Sequence, residues 1–223
     1  MSSVRGSVSI NFAKQTLHLL PDRAIWWPAR STLVITDPHF GKSAAFRKIG
    51  IPVPAGATTK DLARLATLIA QTSPQRLIIL GDFLHSRAGR QPEVFEAIAS
   101  WRQSHQQLPI ILVRGNHDRS AGNVPAEWEI QEVEEPFTDD GIALIHDPKC
   151  TGPHPALAGH VHPVVALPDY DGTAVTVPCF VLDENCLIVP SFGTFTGGHR
   201  MDRREGRRIF VVAAQRVIPL PAE

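Results

Sequence analysis

At 223 residues the chain is long enough for one substantial core and short for two independent domains. A hydrophobic fraction of 43% and a charged fraction of 20% are those of an ordinary soluble globular protein, and no apolar stretch approaches a membrane span. The 22 basic and 22 acidic residues cancel, which argues against coating nucleic acid by charge alone but leaves room for a local basic face.

The opening MSSVRGSVSI lacks the apolar core of a signal peptide, so a cytoplasmic location is the default expectation. Cys150, Cys179 and Cys186 have no metal-type spacing and read as reduced thiols. The ten histidines are the compositional oddity, several of them standing beside Gly, Asp or Asn.

In chain order, residues 8–12 and 24–27 look like strands. Residues 31–36 form a buried strand around Leu33, Val34 and Ile35, and DPHFGK follows at once. Over 58–72 the apolar positions Leu62, Leu65, Leu68 and Ile69 share one helical face; Thr58 or Thr59 can cap it, and Pro74 marks its end. Residues 76–80 are a second strand leading into GDFLHS. Pro92 suits a first helical turn, and Val94, Phe95, Ile98 and Trp101 make a stripe up to about 105. Residues 109–113 are a third strand, ending in RGNHD.

That alternation predicts parallel pairing with right-handed crossovers, and ligands bind at the carboxyl ends of such strands. The second half changes character: 142–145, 174–182, 187–189 and 208–213 read as strands with little helix between. The expected architecture is α/β, two stacked sheets flanked by helices in one domain.

The polar motifs are Asp37-Pro38-His39, Gly81-Asp82 with His85, Gly115-Asn116-His117-Asp118, His146, and Gly159-His160-Val161-His162. Carboxylate, imidazole and amide oxygens suit manganese, iron or zinc, and the lack of cysteine argues against a structural zinc site. In Asp-x-His at a strand end, side chains of like parity project to one side and can chelate one ion; His160 and His162 share that parity. Glycines before Asp82, Asn116 and His160 permit tight turns where the backbone crowds a metal.

These motifs, in this order over residues 31–163, resemble the calcineurin-like metallophosphoesterase superfamily. The resemblance implies a four-layer α-β-β-α sandwich of two mixed sheets. It implies that Asp37, His39 and His162 hold one divalent ion, that Asn116, His146 and His160 hold another, and that Asp82 bridges them. A bridging hydroxide would attack phosphorus, with His117 as proton donor and Asp118 orienting it. His146, a lone histidine after a strand, has an edge histidine as its alternative.

The stretch DPHFGKSAAFRKIGIPVPAGATTKDLARL, with GDFLHSRAG and PSFGTFTGG, is most similar to the bacterial DNA ligase-associated metallophosphoesterases. That likeness implies a manganese-dependent phosphodiesterase or nuclease acting on DNA, alongside a DNA ligase, a helicase and an exonuclease. Pro38 stands where that group usually has Leu, and its side chain is not a ligand.

His85, Lys42 and Arg87 are candidate substrate contacts, His85 alternatively buttressing Asp82. Arg47, Arg90 and Arg119 also follow motifs, Arg200, Arg203, Arg204, Arg207 and Arg208 form a denser run, and Trp26 and Trp27 can stack bases or pack as core. The rival functions are another phosphoesterase of this fold, on a nucleotide sugar or cyclic nucleotide, and a metal-free adaptor in a repair assembly. Against an acyl-chain lid, the segment after Asp118 carries Glu127, Glu129, Glu132, Glu134 and Glu135.

Overall fold

A computed structural model describes residues 4–168 and 173–221, and the statements below concern these. The first sheet takes its strands in chain order: β1 (Val8–Phe12), β2 (Gln15–Leu20), β3 (Ala24–Trp27), β4 (Thr32–Thr36), β5 (Arg76–Leu80), β6 (Ile110–Val113) and β7 (Ile130–Val133). Its first four strands form an antiparallel meander; from β4 to β7 the pairing is parallel. The parallel crossovers carry α1 (Lys42–Lys48), α2 (Ala57–Thr72), α3 (Pro92–Ser104) and the short α4 (Asn116–Ala121).

The second sheet holds β8 (Phe137–Asp139), β9 (Ile142–Leu144), β10 (Ala156–Ala158), β11 (Pro163–Pro168), β12 (Ala174–Asp183), β13 (Cys186–Ile188), β14 (His199–Arg200), β15 (Arg207–Ala213) and β16 (Arg216–Pro219). Here β9, β10 and β13 run parallel, and β12 pairs antiparallel with β11, β13 and β15. Both sheets are therefore mixed, as expected.

Period-two alternation sorts each strand between two cores. Leu33, Ile35, Leu77, Ile79 and Leu112 face the helices, meeting Leu62, Leu65 and Leu68 of α2 and Val94, Ile98 and Trp101 of α3. Val34, Ile78, Leu80 and Val113 point the other way, into an intersheet core with Leu144, Leu157, Phe180, Leu187 and Phe210. Each such fully buried side chain contributes about 1.5–3 kcal/mol relative to exposure. On the outer face of the second sheet, a third core includes Ile145, Ala158, Val181 and Val211. Residues of loop segments, Val161, Met201 and Leu220, close it, and none of α1–α4 takes part.

One detail departs from expectation and two settle alternatives that the sequence left open. α2 begins at Ala57 after a left-handed Gly56, and the Thr58 hydroxyl accepts the Gly41 amide at 3.1 Å rather than capping the helix. Trp27 is fully buried and Trp26 packs on the helix-side core, so neither is a free stacking surface. In the basic run, Arg204 and Arg207 are held by Asp183 and Arg208 lies over the Phe210 ring.

Candidate metal centre

The ends of β4, β5 and β6 meet those of β9 and β10, so both sheets deliver side chains to one spot. Backbone bonds lace the loops together: Asp37 N–H donates to Gly81 O, His39 N–H to Asp82 O, and Gly159 N–H to His146 O. Besides a cluster of His39, His85 and His117, two groups of ligand-capable atoms that include a carboxylate result. In the first, Asp37, His39 and His162 converge, with His162 Nε2 3.4 Å from Asp37 Oδ1 and 3.2 Å from His39 Nε2. In the second, Asp82, His146 and His160 converge; His146 Nε2 lies 3.0 Å from His160 Nδ1 and 3.0 Å from Asn116 Oδ1. Asp82 stands between them. Its Oδ2 is 3.6 Å from His39 Nε2 and its Oδ1 is 3.5 Å from His146 Nε2.

Strand parity is not what achieves this. Asp37, His39, Asp82, His160 and His162 all have positive φ, between 47° and 65°, beyond the ends of their strands. Such left-handed non-glycine residues are uncommon and concentrate where function over-determines the backbone. His160 and His162 accordingly go to different groups. The three motif glycines are needed because a Cβ on Gly81 would overlap the His146 ring, on Gly115 the Asp82 carboxylate, and on Gly159 would come within 2.6 Å of Asp37 Oδ2.

Tautomers are set by backbone carbonyls, which only accept. His146 Nδ1 donates to Leu80 O at 3.1 Å and His162 Nδ1 to Gly197 O at 3.1 Å, leaving each Nε2 lone pair facing its group. His146 is 1% exposed, so it is no edge histidine. Glu135, which the sequence marked only as one of several acids after Asp118, accepts the backbone N–H of both His146 and Asp147 and fixes that turn.

The donor set fits cations. Burial, then neighbouring Asp37, pushes the Asp82 carboxyl up to about 8. Burial holds His39 and His146 below the ordinary histidine range. Asp37 Oδ1 is buried with no hydrogen-bond partner. Clustered carboxylates and neutral imidazoles with an orphaned oxygen are costly unless a positive ion completes them.

His117 and Asp118 diverge. His117 Nδ1 donates to His85 O at 2.6 Å, which leaves Nε2 facing the centre, 3.9 Å from Asp82 Oδ2. Asp118 was expected to orient His117; instead its carboxylate accepts the Gly115 and Leu84 amides, tying two motif loops together. Burial raises its carboxyl to about 6.

His85 buttresses His39 rather than Asp82, with their Nδ1 atoms 3.4 Å apart, and burial lowers it to about 4. Lys42 opens α1, half-buried and close enough to Asp82 to feel its charge. Arg87 is exposed and bonds Ser120 O. Arg90 is spent on the carbonyls ending α4, Arg47 pairs with Glu93, and Arg119 pairs with Glu134.

The loop at 190–198 braces the first motif: Ser191 Oγ donates to Asp37 O at 2.7 Å, while Thr194 donates to buried Asp61. No sequence signal linked Asp61 to this loop.

A two-group His/Asp centre on this double-sheet scaffold defines a class, and comparison with known proteins agrees. A family profile described as calcineurin-like phosphoesterase matches residues 30–172. The chain belongs to that family and is a metal-dependent phosphoesterase. Among solved structures it is similar to Pseudomonas putida nuclease MPE, at 42% identity, with 96% of this chain and 100% of that chain covered and a TM-score of 0.86. The E. coli phosphoesterase Yfce shares 16% identity over 86% of this chain and 99% of that chain, with a TM-score of 0.41. None of the curated proteins matches. No helix among the described residues is long and apolar enough to cross a membrane.

Proposed function

We propose that the chain is a dinuclear phosphodiesterase that cleaves DNA. The observation that carries this reading is the Asp82 carboxylate, whose two oxygens address two separate ligand groups. Asp37, His39 and His162 would hold one divalent ion and Asn116, His146 and His160 the other, with Asp82 available to both. Two such ions, when bound, would polarise a phosphoryl group and acidify water, so no protein nucleophile is required.

His117 presents Nε2 to the leaving oxygen and, when protonated, neutralises the departing alkoxide. Lys42 and exposed Arg87 face the substrate phosphates. The oxygen and imidazole donors, with no thiolate, suit manganese, iron and zinc alike, and manganese is the ion that the ligase-associated resemblance implies. DNA as substrate is supported by the likeness to the Pseudomonas putida nuclease. With the ligase-associated motifs, this suggests cytoplasmic DNA end processing alongside a ligase, a helicase and an exonuclease.

The test is a manganese-supplemented panel of bis-aryl phosphodiester, monoester, cyclic nucleotide, and single- and double-stranded DNA. Diester and DNA cleavage are expected. Activity confined to the monoester or cyclic nucleotide would sink the nuclease reading, and a protein binding no divalent ion would favour the adaptor.

Two variants probe the parts. His117→Ala keeps its metal but loses activity about 100- to 10,000-fold, more on DNA than on activated aryl esters; equal losses would argue against proton donation. Gly81→Ala, which pushes a methyl group into His146, weakens manganese binding at least about 10-fold by titration, against no change for Gly152→Ala, where a Cβ meets nothing.

A further inference from the structure

Of the ten phenylalanines, Phe12, Phe40, Phe83, Phe180, Phe192 and Phe210 are buried in the cores, and Phe95 and Phe137 pack against them. Phe46 and Phe195 belong to no core among the described residues. They are only partly buried and pair edge-to-face, with centroids 5.6 Å apart at 79°. An edge-to-face pair leaves ring face uncovered, where a flat group can stack. The pair comes from two distant segments, α1 and the 190–198 loop.

Its position is what gives it meaning. The Phe46 centroid is 6.1 Å from that of His85, which is 5.3 Å from that of His39. Phe195 shares a narrow crevice with His39 and Lys42. The platform therefore lies one side chain away from the first ligand group, with an ammonium group beside it. Ile49 and Ile51, 68% and 43% exposed, continue the apolar surface past the end of α1.

We propose that Phe46 and Phe195 form a stacking platform for an unpaired nucleobase flanking the scissile phosphodiester. This rests on the phosphodiesterase reading above. Aromatic stacking needs the face of the base, which a duplex hides and a single strand or frayed end offers, and it is tolerant of sequence. Lys42 alongside suits the phosphate joined to that base. A second protein copy is the competing occupant; adjacency to the metal centre and the ammonium group favour a nucleotide.

The test compares manganese-dependent cleavage of a single-stranded oligodeoxynucleotide with that of the same strand carrying abasic residues around the cut. Wild-type KM is expected to be about 5- to 100-fold lower for the base-bearing strand. In Phe46→Ala and Phe195→Ala the two KM values converge, and Phe46→Trp restores the gap. Independently of turnover, a 2-aminopurine oligonucleotide bound to the protein in calcium is quenched, and the alanine variants relieve the quenching.

Equal wild-type KM values, or a parallel rise on both strands in the variants, would overturn the platform. So would unquenched 2-aminopurine, or alanine variants that change only the oligomeric state. Quenching without any diester hydrolysis would sink the nuclease reading alone and leave the platform standing.

Discussion

Replacing Asp82 by Asn is expected to lower kcat by more than about 100-fold, beyond the 10- to 100-fold typical of residues that merely orient a ligand. The variant should still fold. Asn matches Asp in shape, tolerates the left-handed φ of 53°, and can still accept the His117 backbone N–H that Asp82 Oδ1 accepts at 2.9 Å. What it loses is the second anionic oxygen, so one of the two groups would face an amide NH2 instead of a ligand. Steady-state rates, metal stoichiometry and a melting curve on the same sample decide the matter. A variant keeping a tenth of the wild-type rate with two ions bound would refute the bridging assignment.

The stabilisation conferred by a divalent cation should grow with pH. In the metal-free protein the Asp82 carboxyl titrates near 8, above its unfolded value, so its contribution is full below about 4 and lost as pH rises through 8. The buried histidines run the opposite way. His39, His85 and His146 have depressed folded values, so their contribution is present above about 6.5 and lost as pH falls, through about 4 for His85.

Between pH 6.5 and 8 the carboxylate dominates, and the chelator-treated protein should melt earlier as pH rises. A cation needs Asp82 ionised and the imidazoles neutral, so it reverses that trend and releases protons on binding. One ion at 100 times its Kd contributes about 2.7 kcal/mol, or about 5–11 °C in Tm for a chain of this size. Melting curves with and without manganese from pH 5 to 8 measure it. A shift constant across that range would mean the ion is not held by these groups.

The sequence displayed the site better than the scaffold. Asp37, His39, Asp82, Asn116, His146, His160 and His162 all reach one place, because the motif residues stand at ends of strands that sequence patterning located well. Parity was the wrong reason for it, since strand alternation stops at Thr36 and the left-handed residues beyond it redirect the chain. Asp118 was misread for a related cause. Consecutive residues on a helix point about 100° apart and do not face each other, so with His117 toward the centre the Asp118 carboxylate accepts the Gly115 and Leu84 amides instead.

The short elements were illegible. α1 packs through Ala44 and Ala45, whose apolar signal is weak, and β10 is three residues long, too short for any period. Glu135 and Asp61 act on backbone amides of segments that no local pattern connects to them.

The brace between Ser191 and Asp37 spans 154 positions of chain. During synthesis the first motif is thus made early and held last. The β4 to β6 portion can pair as soon as it emerges, but Asp37 has neither its brace nor His160 and His162 until the final third is built. Completion of the first ligand group is consequently a late event, coupled to docking of the second sheet. A chain cut short before residue 190 would carry all seven of the proposed ligand residues in its sequence and still lack the support that sets the first of them.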